Sequence, residues 1–167
     1  MSITFHKRLR SWPAVTAAVV KQSNVSKAVL IDAGDAKNCS HMLSLHKTLR
    51  LLAVDSYTGL QGQSTYRAAK MNVFAYQRRA TVRDLDQGLP IDHVDGAADA
   101  LILNSALRAA QINDALFRFR SLLAPRFVVI GCGSDNSFFR QEADRVFDNA
   151  ITDGPFGVWW APEVENV

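Results

Sequence analysis

Two cysteines, Cys39 and Cys132, are too few for a disulfide framework, so the fold must rest on an ordinary apolar core. With so few, a reducing, cytoplasmic setting is the default expectation. No apolar run is long enough to span a membrane. Lys7, Arg8 and Arg10 are not followed by the apolar core of a secretory signal. A large charge of one sign is also missing. The net charge is +3, and the basic residues are scattered from Arg8 and Arg10 through Arg78 and Arg79 to Arg118, Arg120 and Arg126. That scatter reads as solvated helix faces and carries no strong nucleic-acid signal. The four histidines are His6, His41, His46 and His93, and none is spaced from another as ligands on one helix face would be, so no metal site is expected. Internal repeats are absent, and no complete Gly-x-Gly-x-x-Gly turn occurs, which argues against a dehydrogenase.

What is present is a 167-residue chain with 48% hydrophobic residues, enough for one domain, 1–167, with a helical extension over 1–25. Short apolar runs alternate with helical spacings. Strands are expected at 27–33, 51–55, 80–82, 99–104, 127–130 and 156–160. Helices are expected at 12–21, from about 38 to 49, and at 65–76, 106–123 and 138–150. In the fourth of these helices Leu107, Ala110, Asp114, Phe117 and Ser121 share a side. The strands lack strict polar alternation, as when helices cover both sheet faces. The pattern is α/β: a doubly wound, mostly parallel sheet of six or seven strands. Trp159 and Trp160 are adjacent on the last strand and must point to opposite faces, one of them into the core.

Ligands on such sheets bind beyond the carboxyl ends of the strands. The first strand ends in Ile31-Asp32-Ala33-Gly34, and the second ends in Val54-Asp55, about 20 residues further on, where a ribose hydroxyl would need an acceptor. Gly34 suits a sharp turn. Asp55 either accepts ribose hydroxyls or caps exposed amides. Asp32 either holds a ligand ammonium or is a satisfied strand-end acid. Asp84 ends the third strand. Asn104 and Ser105 either face the cleft or cap the next helix. Gly131-Cys132-Gly133-Ser134 is a second glycine turn, where Cys132 has no evident partner base. His93 precedes the fourth strand and is either a cleft base or a solvated loop residue.

This order of signals resembles the class I S-adenosylmethionine-dependent methyltransferases, and within them the small O-methyltransferases. The resemblance runs from about residue 26 to 150. It is carried by Ile31-Asp32-Ala33-Gly34, Val54-Asp55-Ser56-Tyr57-Thr58-Gly59, Asp84, Asp99-Ala100-Leu101-Ile102-Leu103 and Leu122-Leu123-Ala124-Pro125. It implies a Rossmann-like methyltransferase fold and S-adenosylmethionine as cofactor. Asp32, Gly34, Asp55, Asp84 and Asn104 would hold the cofactor, and Asp84 would face its adenine. The acceptor would lie near Asn104, Cys132 and the C-terminal strand, with His93 or Asn104 as the candidate catalytic residues. The chain departs from the family pattern in several places. Asp35, Ala36 and Lys37 follow the single glycine of the first turn. Asn104 and Leu107 stand where metal-using relatives carry Asp and His. Arg126 and Phe127 replace a glycine pair. An amide is a poorer ligand for a hard cation than a carboxylate.

The expected function is therefore metal-independent methyl transfer to a small-molecule acceptor. The alternatives are a catalytically inactive methyltransferase-like binding or assembly protein, or another nucleotide-binding α/β protein. The expected strands are one fewer than these relatives use. A second copy could supply the missing edge, making a homodimer through the C-terminal strand.

Overall fold

A computed structural model describes residues 12–87, 97–104, 109–132, 137–153 and 156–160. In chain order the elements are α1 (Trp12–Gln22), β1 (Lys27–Ile31), α2 (Lys37–Leu45), β2 (Arg50–Asp55), α3 (Gly62–Val73), β3 (Ala80–Asp84), β4 (Ala98–Leu103), α4 (Ala109–Phe119), β5 (Leu123–Cys132), α5 (Ser137–Val146), β6 (Asp148–Asp153) and β7 (Phe156–Trp160). The strands form one seven-stranded sheet in the order β3-β2-β1-β4-β5-β7-β6. The first five pair in parallel, and β7 runs antiparallel to both β5 and β6.

Period-two alternation in the strands distributes apolar side chains to two cores. Ala28 and Leu30 of β1 face one way, with Val15, Val19 and Val20 of α1, Cys39, Met42 and Leu43 of α2, and Ala69 of α3. Val29 and Ile31 face the other way, with Ile112, Ala115 and Phe119 of α4 and Ala143 of α5. Each large aliphatic chain buried this way contributes roughly 1.5–3 kcal/mol. Helix α1 belongs to the first core through Val15, Val19 and Val20. Trp159 is fully buried in the second core, its indole N–H donating to Asp144 Oδ1 at 2.9 Å, while Trp160 packs against the first. The two tryptophans do point to opposite faces.

Three expectations are corrected. The stretch 148–153 is a strand; the helix before it stops at Val146, and β6 and β7 pair antiparallel across Gly154-Pro155, a turn signal in the sequence. The seventh strand thus comes from the chain itself, and the argument for a second copy supplying it falls. In α4 the buried stripe is Ile112, Ala115 and Phe119, continued by Leu122, while Phe117 is 86% exposed and Asp114 pairs with Arg118 at 2.9 Å on the outer face. Both faces of this helix carry apolar residues, so periodicity alone does not choose between them. Finally, β5 begins at Leu123 and includes Pro125. A shift of register between Ala98 and Ala100 of β4 accommodates that proline, which has no N–H for a ladder.

Candidate functional site

The carboxyl ends of β1, β2, β3 and β4 lie side by side, and they bring Asp32, Gly34, Asp55, Asp84 and Asn104 to one edge of the sheet. The turn from β1 into α2 has an unusual backbone. Asp32, Gly34 and Ala36 all have positive φ, at 56°, 56° and 58°. Glycine adopts this conformation freely, whereas Asp32 and Ala36 each give up about 1 kcal/mol.

Side chains from three other elements hold this turn. Asn104 Nδ2 donates to the Asp32 carbonyl at 2.8 Å, the Tyr57 hydroxyl to the Gly34 carbonyl at 3.0 Å, and Asn72 Nδ2 to the Asp35 carbonyl at 2.8 Å. Backbone bonds complete the shape, from Ala33 N–H to the Val54 carbonyl and from Ala36 N–H to the Ala33 carbonyl. The clamps do with side chains what extra glycines would do with conformational freedom.

Asp55 faces the turn from the end of β2. Its Oδ2 accepts the Gly34 N–H and its Oδ1 the Ser56 N–H, both at 2.7 Å. A carboxylate has about four acceptor positions, so each oxygen retains one. Burial raises the Asp55 pKa above its ordinary value. The Gly34 amide opposes that rise, and the charges of Asp32 and Asp84 add to it. The site therefore carries negative potential. Asp84 is 5% exposed and lies close to the Tyr57 N–H and Gln87 Nε2, at 3.5 and 3.4 Å. It is thus a buried acid beneath the loop after β2.

The residues in place of the expected small ones do not block the turn. Lys37 Nζ pairs with Asp35 Oδ2 at 2.6 Å, with the lysine side chain 76% exposed. This hydrogen bond from Lys37 holds the Asp35 carboxyl below its usual value. A side-chain carbon placed on Gly34 would meet nothing within 4 Å, so the space beyond the turn is open.

Asn104 is fully engaged at its oxygen. Oδ1 accepts from the Trp12 indole N–H at 2.7 Å and from Asn38 Nδ2 at 2.8 Å. Trp12 also stacks on Phe156, with ring centroids 5.7 Å apart and planes 13° apart. The asparagine ties the start of α1, the first turn of α2 and the β1 turn together. Cys39 stands outside the turn at 32–36. It lies inside α2 with its thiol in the core, where burial pushes its pKa to about 12. His93, Ser105, Leu107, Gly133 and Ser134 lie outside the described residues, as does the side chain of Cys132. Among the described residues no group of three His, Cys, Asp or Glu is placed to share a metal ion. Tyr57, Asn72, Trp12 and Asn38 were not expected at this edge. Only Tyr57 carried a signal, as the aromatic following Asp55-Ser56.

No protein-family model and no curated protein sequence matches the chain. Solved structures do. An O-methyltransferase from Bacillus cereus in complex with SAH superposes with a TM-score of 0.63 at 14% identity, covering 95% of this chain and 84% of that one. The O-methyltransferase TomG from Streptomyces achromogenes, involved in tomaymycin synthesis and in complex with SAM, gives 0.60 at 12% identity, covering 87% and 76%. NcsB1, an O-methyltransferase from neocarzinostatin biosynthesis in complex with SAM and 2-hydroxy-5-methyl naphthoic acid, gives 0.56 at 12% identity; this chain spans just 57% of that protein. The sheet order, the antiparallel β7 and these superpositions agree: the chain has the class I S-adenosylmethionine-dependent methyltransferase fold.

Proposed function

We propose that the chain binds S-adenosylmethionine at the carboxyl edge of β1 and β2 and transfers its methyl group to a small-molecule acceptor without a metal ion. The observation that carries this reading is the turn at 32–36, with open space beyond Gly34 and the Asp55 carboxylate beside it. The donor set fits the cofactor. The remaining acceptor positions of Asp55 suit a ribose diol, the open face of Gly34 admits close approach, and the acids Asp32, Asp55 and Asp84 suit a cationic ligand. When bound, the cofactor supplies an electrophilic methyl on a sulfonium. The chain's own residues bind and orient, and orientation alone can supply a large part of the rate. Asn104 carries no titratable proton and its oxygen is occupied, so we assign it to positioning the turn and leave the base unassigned.

The same contacts favour a second reading. Trp12 and Asn38 close Asn104 to an acceptor, which suits a methyltransferase-like protein that binds the cofactor without catalysis. Calorimetric titration with S-adenosylmethionine, with Asp55→Ala as control, tests both. Loss of two charge-assisted hydrogen bonds, each worth about 1.5 kcal/mol or more, weakens binding at least a hundredfold. Micromolar binding that survives the substitution sinks the site, and absence of binding at millimolar cofactor sinks both readings. Binding with no labelled methyl passed to a panel of phenols and hydroxy acids favours the second.

A further inference from the structure

We infer that the opposite edge of the sheet holds a second binding site, one for a small dianionic phosphoryl group. A cavity of about 110 Å³ opens to solvent at the amino ends of β1, β2 and β3, on the far side of the sheet from the turn at 32–36. That volume admits several waters and so can admit a tetrahedral oxyanion. Its walls include Lys27, Arg50, Arg78 and Arg79, with Gln77 and Thr81 as neutral donors, and no acid among the described residues lines it.

Two features mark these cations as a site. Lys27 and Arg50 are register partners on adjacent parallel strands, and each lies two positions before a second-core residue, Val29 and Leu52, so both side chains leave the same sheet face. Like charges placed this way are unfavourable unless something neutralises them. Asp99 stands beside Lys27 and offsets part of its charge, its Oδ2 accepting the Ser26 amide and hydroxyl and the Lys27 amide, whereas Arg50 has no such neighbour among the described acids. Arg79 has a different duty. Its guanidinium donates to the carbonyls of Leu43, His46 and Leu49, capping the end of α2 and forming a fixed wall. Arg50 and Arg78 make no side-chain ion pair with any described residue and remain to grip a ligand.

The guanidiniums of Arg50 and Arg78, with Lys27 on the same cavity wall, match a dianion better than chloride. Phosphomonoesters are mostly dianionic above pH 7. The convergence also separates this site from a nucleic-acid surface, which needs cations strung along a groove. The ligand is inorganic phosphate or the phosphoryl end of a small metabolite.

The test is calorimetric titration of the whole chain at low ionic strength and pH 7.5 with inorganic phosphate and, separately, phenyl phosphate. A labelled mixed-sequence oligonucleotide is followed by anisotropy. The expected result is a Kd below about 1 mM for at least one phosphoryl probe, weakened tenfold or more in Arg50→Gln/Arg78→Gln and unchanged in Arg67→Gln. Binding of phosphate alone identifies the free ion as ligand, and tighter binding of phenyl phosphate identifies an ester. Absence of binding overturns the inference, as does equal loss in Arg67→Gln. Oligonucleotide binding without phosphate binding overturns it in favour of a nucleic-acid surface. S-adenosylhomocysteine titration of the same variants reads the other edge, so failure here and failure of the methyltransferase reading are separable. Near-UV circular dichroism of the double variant confirms its fold.

Discussion

Replacing Asn104 by alanine tests the architecture of the site most directly. The side chain makes three hydrogen bonds: it accepts from Trp12 and Asn38 and donates to the Asp32 carbonyl, all within 2.7–2.8 Å. Neutral hydrogen bonds contribute about 0.5–1.5 kcal/mol each, so their loss costs about 1.5–4.5 kcal/mol. The Asp32 carbonyl is also what anchors its left-handed backbone, and release lets that residue recover about 1 kcal/mol by leaving the conformation. The net expectation is about 0.5–3.5 kcal/mol of destabilisation, with a turn that no longer presents the Gly34 amide to Asp55. Urea unfolding followed by tryptophan fluorescence reads the first effect, and S-adenosylhomocysteine calorimetry in the absence of urea reads the second. Asn104→Asp sharpens the test. It keeps both acceptor contacts, loses the donor, and sets a carboxylate against the Asp32 carbonyl, so it should weaken cofactor binding more than it lowers stability. A loss below about 0.5 kcal/mol for Asn104→Ala with unchanged binding would refute the clamp and leave Asn104 as a surface residue.

Three further outcomes follow from single contacts. A methyl group on Gly62 would collide with the Tyr57 carbonyl, so Gly62→Ala should destabilise by about 1–3 kcal/mol in chemical denaturation; the increase expected for an open helix position would contradict the packing. Burial works against the Asp99 charge, but the Ser26 and Lys27 hydrogen bonds outweigh it and hold the pKa below 3.8. That contribution is therefore present above the ordinary carboxylate value and is lost as pH falls through the depressed one. Asp99→Asn should lower stability at pH 7 by about 1 kcal/mol, and the gap to the parent protein should close in acid unfolding as pH falls below the ordinary carboxylate range. Cys39, raised to about 12 by burial, should react with a thiol reagent at pH 8 only at the rate of opening, and at a free-thiol rate in denaturant; prompt labelling of Cys39 in a Cys132→Ser background would contradict its placement.

Reading along the chain was enough for what depends on neighbours. Strands made of Ala28–Ile31, Leu51–Val54 and Leu101–Leu103 are buried on both faces, and a continuous apolar run says so directly. Asp55 and Asp84 end parallel strands, and Asp32 and Gly34 follow the end of another, so all four reach one edge, and strand ends can be located by composition. Strand β6 is not legible along the chain because Asn149-Ala150-Ile151-Thr152 mixes strand-favouring and strand-disfavouring residues and becomes a strand by pairing with β7. The buried side of α4 was set by the sheet face beneath it, since Phe117 and Phe119 are equally apolar and only one meets Trp159's core.

What the tertiary structure alone decided is how a turn with one glycine keeps three left-handed residues. The answer lies in Asn104, Tyr57 and Asn72, which are 72, 23 and 37 positions away from the carbonyls they hold. The amino-edge cavity is of the same kind: Lys27, Arg50 and Arg78 look like ordinary surface charge until parallel pairing sets their strands side by side. Local sequence determines backbone preference and apolar period. Hydrogen bonds and charges between distant positions exist only after the chain has closed on itself.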